Sequence, residues 1–247
     1  MDRLLYVAMT GAKQLMQAQT LVANNLANVN TTAFRADLAR FAAAPVAGAG
    51  YPSRINTVAS GLGFDRSQGT LEATGNPLDV AIDGAGWLAV RAKDGSEAYT
   101  RGGSLNVNGL GLLEDERGNL VLGDNGPVAI PPNTSVTIAA DGVVSIVPQG
   151  QGPETLAQVA RLKLVNPDPS KLEKRTDGLV RIAGGGKPPV ADANVRVAPR
   201  FVEHSNVNMA GSMVDMIEYA RQFEVAVRMM HVADENESRA ASLASLS

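Results

Sequence analysis

Residues 205–247 read SNVNMAGSMVDMIEYARQFEVAVRMMHVADENESRAASLASLS. Ser212 is placed to cap a helix, because its hydroxyl can accept from a free N–H in the first turn. Behind it Met213, Met216, Ala220, Phe223, Val227 and Met230 recur at alternating steps of three and four, which lays them along one narrow stripe. Beyond Met230 the same frame lands on Asp234 and Glu237, so the apolar line drifts toward Ala233, Ala240 and Leu243, as a slightly shifted period allows. A narrow stripe of this kind calls for another helix as its partner.

The matching pattern stands at the opposite end of the chain. Leu5, Ala8, Ala12, Leu15, Val22, Leu26 and Val29 follow the same three-four spacing, with Gln19 alone out of place. Past it Asn24, Asn25, Asn28, Asn30, Thr31 and Thr32 crowd together, and side chains that compete for backbone hydrogen bonds end helices, so this one is expected to stop near Asn28. One helix leads into the intervening segment and the other leads out of it, so they pair side by side only by running antiparallel. At about 1.5 Å per residue a helix over 3–28 spans roughly 40 Å and one over 213–244 roughly 50 Å. Such a pair leaves apolar edge uncovered.

Between them, residues 34–76 have connector composition, with Pro45, Gly48, Gly50, Pro52, Gly61, Gly63 and Gly69 around a short helical turn expected at 35–42. From Leu78 onward the pattern changes to short β-rich runs at 78–82, 87–91, 98–101, 105–107, 120–122, 136–138 and 143–147, then 159–165, 179–182 and 195–202. Asp83-Gly84, Asp94-Gly95, Asn108-Gly109, Asn125-Gly126 and Asp141-Gly142 supply the residues that tight hairpins need. The expected fold is therefore α+β: an antiparallel, coiled-coil-like pair of long N- and C-terminal helices, a stalk, carrying a central, mostly antiparallel β domain. Its parts are a stalk helix in 1–33, an extended connector over 34–76, the β domain over 77–204 and the second stalk helix in 205–247.

Composition narrows the function. Net charge is −3, scattered along the chain, and aromatic content is 4%, without the basic clusters that nucleic acid requires. There is no cysteine, hence no disulfide or thiol chemistry. Residues 1–13 lack the basic start, apolar block and small-residue site of a secretory leader, so no cleaved signal is expected.

Chemistry-bearing motifs fail on context. Gly84-Ala85-Gly86 superficially opens a dinucleotide fingerprint, but a strand follows where that motif needs a helix. His204 and His231 are the only histidines and have no cysteine to complete a metal site. Asp79, Asp83, Asp94, Glu97, Glu114, Asp115 and Glu116 fall mostly in or beside turns, where solvated carboxylates are ordinary, and no Gly-x-Ser-x-Gly elbow occurs. Met209, Met213, Met216, Met229 and Met230 suit adaptable packing better than a ligand groove. No catalytic residue, cofactor, metal or small-molecule substrate is expected. A secreted adhesive or carbohydrate-binding β protein is the rival reading, and one Trp and four Tyr supply few aromatics for it.

Asn24-Asn25-Leu26-Ala27-Asn28-Val29-Asn30-Thr31-Thr32-Ala33-Phe34 resembles the N-terminal motif of the flagellar rod and hook axial proteins. The run from Gln68 to Gly84 resembles that family's next block, followed by Gly86-Trp87-Leu88-Ala89-Val90 and Tyr99-Thr100-Arg101-Gly102-Gly103-Ser104-Leu105. Ser205-Asn206-Val207-Asn208, then Met216-Ile217 and Arg221-Gln222-Phe223-Glu224, is similar to its C-terminal motif. Modest length, the short connector after Phe41 and residues 86–90 most resemble the proximal-rod type, with the distal-rod and hook types as alternatives. Two departures stand out: Ala33 where the family usually has glycine, and Trp87 where phenylalanine is common.

The resemblance implies a part of the flagellar drive shaft, exported by the flagellum's own type III apparatus to the periplasmic span of the basal body. Its partners would be copies of itself and neighbouring rod subunits. The terminal helices are expected to form the inner wall and the β domain the outer layer that stiffens the shaft and carries torque. The residues expected at the interface between subunits are Leu5, Leu15, Val22, Leu26, Met213, Met216, Phe223, Val227 and Met230. The same residues would alternatively satisfy each other inside one subunit.

Overall fold

The computed structural model of the chain describes residues 3–39, 41–45, 55–59, 63–152 and 154–244. Among them are two long α-helices, α1 (Arg3–Ala27) and α2 (Met209–Ala244), and twenty short strands, so the α+β class holds. The chain folds as two compact units. The first gathers the described residues of Met1–Val29, Ala36–Asp65 and Val207–Ser247; the second gathers Asn30–Arg35 and Arg66–Asn206. Residues 34–76 are thus shared between them.

In the first unit α1 packs along α2 and also meets strand Ile55–Ala59, which forms an antiparallel hairpin with Phe41–Pro45. A two-residue ladder joins Asp37–Leu38 to Gly63–Phe64. The helical turn expected at 35–42 is therefore corrected to β-structure. Its alanine-rich composition favours helix locally, but pairing with partners about twenty residues further along the chain overrides a propensity worth only tenths of a kcal/mol per residue. The cap of α2 is corrected as well. Asn208, four residues before Ser212, accepts from the Gly211 N–H through Oδ1 at 3.1 Å, and the helix begins at Met209.

The second unit is β-structure with every pairing antiparallel. Its main sheet runs in the order Leu172–Lys174, Val180–Ile182, Glu97–Thr100, Trp87–Arg91, Leu120–Gly123, Leu113–Asp115, Leu105–Val107, with Gly126–Pro127 and Leu164–Val165 attached at its centre. Asn133–Ile138, Val143–Pro148 and Ala157–Arg161 form a separate three-stranded sheet, and Arg196–Pro199 pairs with Val80–Asp83. Most of the short strands contribute one or two apolar side chains to a single core that includes Ile82, Leu88, Val90, Leu105, Leu113, Val121, Ile138, Val144, Leu162 and Val197. Full burial of such a side chain stabilises the fold by roughly 1.5–3 kcal/mol, so strands of three residues suffice when both faces are covered.

Turn residues set the registers. At Asp94-Gly95 the aspartate Oδ1 accepts from the Ser96 N–H at 2.9 Å, while Gly95 takes φ 82°, a region where a Cβ would clash with the backbone. The Ser96 hydroxyl and N–H, in that order, hold the Asp94 carboxyl below its ordinary value of 3.8, with a smaller contribution from Arg181.

Candidate assembly interface

Along α2 the covered positions are Ser212, Met216, Tyr219, Phe223, Ala226, Met230 and Ala233, at steps that alternate between four and three. Along α1 the buried positions are Ala8, Ala12, Ala18, Val22 and Asn25, with Leu15 half-buried between Ala12 and Ala18. Both series advance by steps of three and four, as one face of a helix does. Ala18 is 1% exposed and Ala233 1%, the tightest points on each helix. Small side chains at these contacts let two helix axes approach closely.

Of the residues expected at the interface between subunits, Val22 is buried and Leu5, Leu15, Leu26, Met216, Phe223, Val227 and Met230 are half-buried within the single chain; Met213 is 49% exposed. Ala18, Ala226 and Ala233 were not among them. The signal for these was the phase of the alanines, since Ala18 keeps the frame that Gln19 breaks.

A second apolar series went unread. Val214, Ile217, Val225, Met229 and Val232 lie exposed on α2, and Tyr6, Met9 and Met16 on α1. The sevenfold spacing of Met9 to Met16 and of Val225 to Val232 was the available cue.

The asparagine-rich motif that ends α1 has a structural task. Asn25 is buried, and its side-chain amide donates to the Asp37 carbonyl at 2.9 Å while its Oδ1 accepts from the Asp37 N–H at 2.8 Å, so one side chain completes a strand-like pair with the backbone. Asn28 donates from Nδ2 to the Asn24 carbonyl at 2.9 Å, the same oxygen that takes its backbone N–H at 3.2 Å, which ties off the last turn of the helix. Asn24 and Ala27 face solvent, and Leu26 is half-buried.

In the second unit the segments that neighbour the two helices in sequence meet each other. Ala33 N–H donates to the Glu203 carbonyl at 2.7 Å, and Asn206 N–H donates to the Phe34 carbonyl at 3.2 Å. Asn206 also donates from Nδ2 to the Ser67 carbonyl at 3.0 Å, and Ser205 and Val207 beside it are half-buried.

The Glu203 side chain is fully buried between two arginines. Its Oε1 accepts from Arg35 Nη2 at 2.5 Å and from the Gly69 N–H at 2.8 Å, while Arg101 Nε stands 3.3 Å from Oε2. Arg101 donates to the Gly84 carbonyl and lies 5.9 Å from the Trp87 ring centroid, so the tryptophan supplies a polarisable face for the guanidinium. Burial pulls the Arg101 pKa down; Glu203 opposes this and Arg35 adds to it. Nε and Nη1 of Arg35 have no hydrogen-bond partner.

Backbone approach around this cluster excludes side chains. A Cβ at Gly69 would run into the His204 carbonyl oxygen, and one at Gly103 into that of Val80. Nearby, buried Asp79 accepts from the Thr74 hydroxyl at 2.6 Å and the Asn76 amide at 2.9 Å, tying the loop from Thr74 to Asp79.

Nothing here assembles a reaction centre. The cavity of about 270 Å³ beside Ala92, Arg117, Asn119 and Leu179 has its Arg181 paired with Asp177 at 2.7 Å and Asp94 at 3.3 Å. Among the described residues no group of three or more His, Asp or Glu side chains is placed to hold a metal ion.

Comparison with known proteins yields three family models in chain order. Residues 5–35 match the flagella basal body rod protein family, 81–146 the flagellar hook protein FlgE/F/G D1 domain, and 198–243 the flagellar basal body rod FlgEFG protein C-terminal family. The flagellar basal-body rod protein FlgF of Salmonella typhimurium is 41% identical, and that of Escherichia coli 42%, each over all of both chains. FlgG of Buchnera aphidicola subsp. Acyrthosiphon pisum is 32% identical over 94% of this chain and 95% of its own.

Proposed function

The chain belongs to the flagellar basal-body rod protein family and, within it, to the FlgF type; from that premise we propose that this subunit builds the proximal part of the rod through its two terminal helices. It is a structural subunit of the basal body, works with other axial subunits and catalyses no reaction. In the proposed assembly α1 and α2 act as an antiparallel, coiled-coil-like pair that joins subunits, and the shaft transmits torque. The chain reaches the periplasmic span through the flagellar type III export apparatus.

One observation carries this reading. Both helices keep large apolar side chains exposed along lines that run with the helix axis, which a subunit built for a filament needs and an isolated one does not.

The experiment is complementation of a strain lacking its own FlgF. Restored swimming, with the chain present in isolated basal bodies at its full-length mass, is the expected result. Swimming without the chain in basal bodies would sink the structural role.

A further inference from the structure

Two asparagines in the chain are followed by glycine, Asn108 and Asn125. With no Cβ to shield it, a glycine nitrogen is the most accessible nucleophile a main chain offers to the side chain before it. The fold treats the two pairs differently. Asn108 is half-buried and pinned: its Nδ2 donates to Glu114 Oε2 at 3.1 Å, while its Oδ1 accepts from the N–H of Leu110 at 2.9 Å and of Leu112 at 3.0 Å. Asn125 is exposed in the two-residue turn between Leu120–Gly123 and Gly126–Pro127, and among the described residues no hydrogen bond holds its side chain.

The glycine after Asn125 is within reach. Gly126 pairs with Gly123 across the turn, but the strand it opens has only two residues and Pro127 has no N–H to give, so local opening of a very short ladder frees the nitrogen. Gly126 sits at φ 122°, and nothing lies within 4 Å of the place a Cβ would take. We infer that Asn125 is a self-modifying site. The Gly126 nitrogen attacks Asn125 Cγ, the new N–C bond forms as the Cγ–Nδ2 bond breaks, and ammonia leaves with the proton that Gly126 gave up. Water then opens the cyclic imide at one carbonyl or the other, which leaves aspartate or isoaspartate. The isoaspartyl product lengthens the main chain of the turn by one carbon, and either product sets a carboxylate beside Asp124, whose N–H donates to the Arg161 carbonyl at 3.3 Å on the rim of a cavity of about 510 Å³. Asn108 is spared, because its three hydrogen bonds must be given up before its carboxamide can turn, which slows it by about tenfold or more.

The test keeps the full-length chain folded at mildly alkaline pH, where a backbone nitrogen loses its proton more readily, and in parallel unfolded in urea at the same pH. The peptide around each asparagine is followed by its mass, which rises when –OH replaces –NH2, and isoaspartate by its enzymatic methylation. In the folded chain the Asn125 peptide is expected to gain mass and become a methyl acceptor about tenfold or more faster than the Asn108 peptide. In urea, where neither side chain has its partners, the two should react alike.

An Asn125 peptide that stays unchanged in the folded chain overturns the inference, and so does an Asn108 peptide that keeps pace with it there. Asn125→Gln, whose longer side chain closes the imide poorly, should abolish the gain in that peptide. A gain that persists in this variant places the chemistry elsewhere and overturns the inference as well. None of these outcomes touches the rod reading, which stands or falls on complementation.

Discussion

Ala33 takes φ 54°, a left-handed conformation that costs an L-residue with a Cβ roughly 1–2 kcal/mol. Its N–H holds the Glu203 carbonyl, so the pose is fixed by its partner. Ala33→Gly is expected to raise the unfolding free energy measured in urea by about 0.5–1 kcal/mol after glycine's extra chain entropy is offset. The departure from glycine was visible in the sequence; the sign of its effect needed the backbone angle. Glu203, by contrast, was invisible. Arg35, Arg101 and Glu203 come from three distant segments, and no local pattern announces that they converge. Glu203→Gln leaves two buried guanidiniums without a counter-charge, and removing one partner of a buried ion pair costs about 3–5 kcal/mol. The triple variant Arg35→Met, Arg101→Met, Glu203→Leu should recover most of that in the same melt. Tyr99 gives a pH signature of its own. Burial, then the charge of Glu97 and its hydrogen bond, pushes the phenol above its ordinary value of 10.0. The folded chain keeps that proton while the unfolded chain releases it near pH 10, so stability holds below pH 10 and falls as pH rises beyond it. Tyr99→Phe should flatten that alkaline decline.

Helices and strands were legible to different degrees. The strands at 87–91 and 105–107 and most of the others stand where alternation between turn pairs put them, because Asp-Gly and Asn-Gly turns fix both ends of a short run. Leu71–Ala73, Leu113–Asp115 and Leu172–Lys174 were missed, each offering a single leucine followed at once by a glutamate, which reads as a solvated segment. The long helices were plain from their period, but the side on which each meets the other was not, since both carry two apolar lines and periodicity alone does not rank them. Alanines settle it. Ala18 and Ala233 are the tightest positions, and Ala18→Leu should overpack the seam at a cost of about 1–3 kcal/mol, read from the loss of helicity on heating. Val214→Leu, on the opposite side, should leave that curve where it is.

At the scale of the whole molecule the two units differ in what stabilises them. The β unit buries Leu, Ile and Val from nearly every strand, whereas the helix pair buries mainly alanine, with larger residues half covered. Hydrogen exchange on the purified subunit should therefore be slow across Trp87–Arg91 and Glu97–Thr100 and fast along α1 and α2, then slow along both helices in assembled rods. Equal protection of helices and strands in the free subunit would contradict this. The seam also has a mechanical side. Its contacts repeat every seven residues, as Ala8, Leu15 and Val22 do on one helix and Met216, Phe223 and Met230 on the other, so a slide of one repeat, roughly 10 Å, brings similar groups together again. Asn25, gripping Asp37 with both ends of its amide, ties the end of α1 to the strand that follows it and leaves that slide opposed by the seam itself. Which notch the two rods occupy is then set by the fit at Ala18 and Ala233, the two positions with no room to spare.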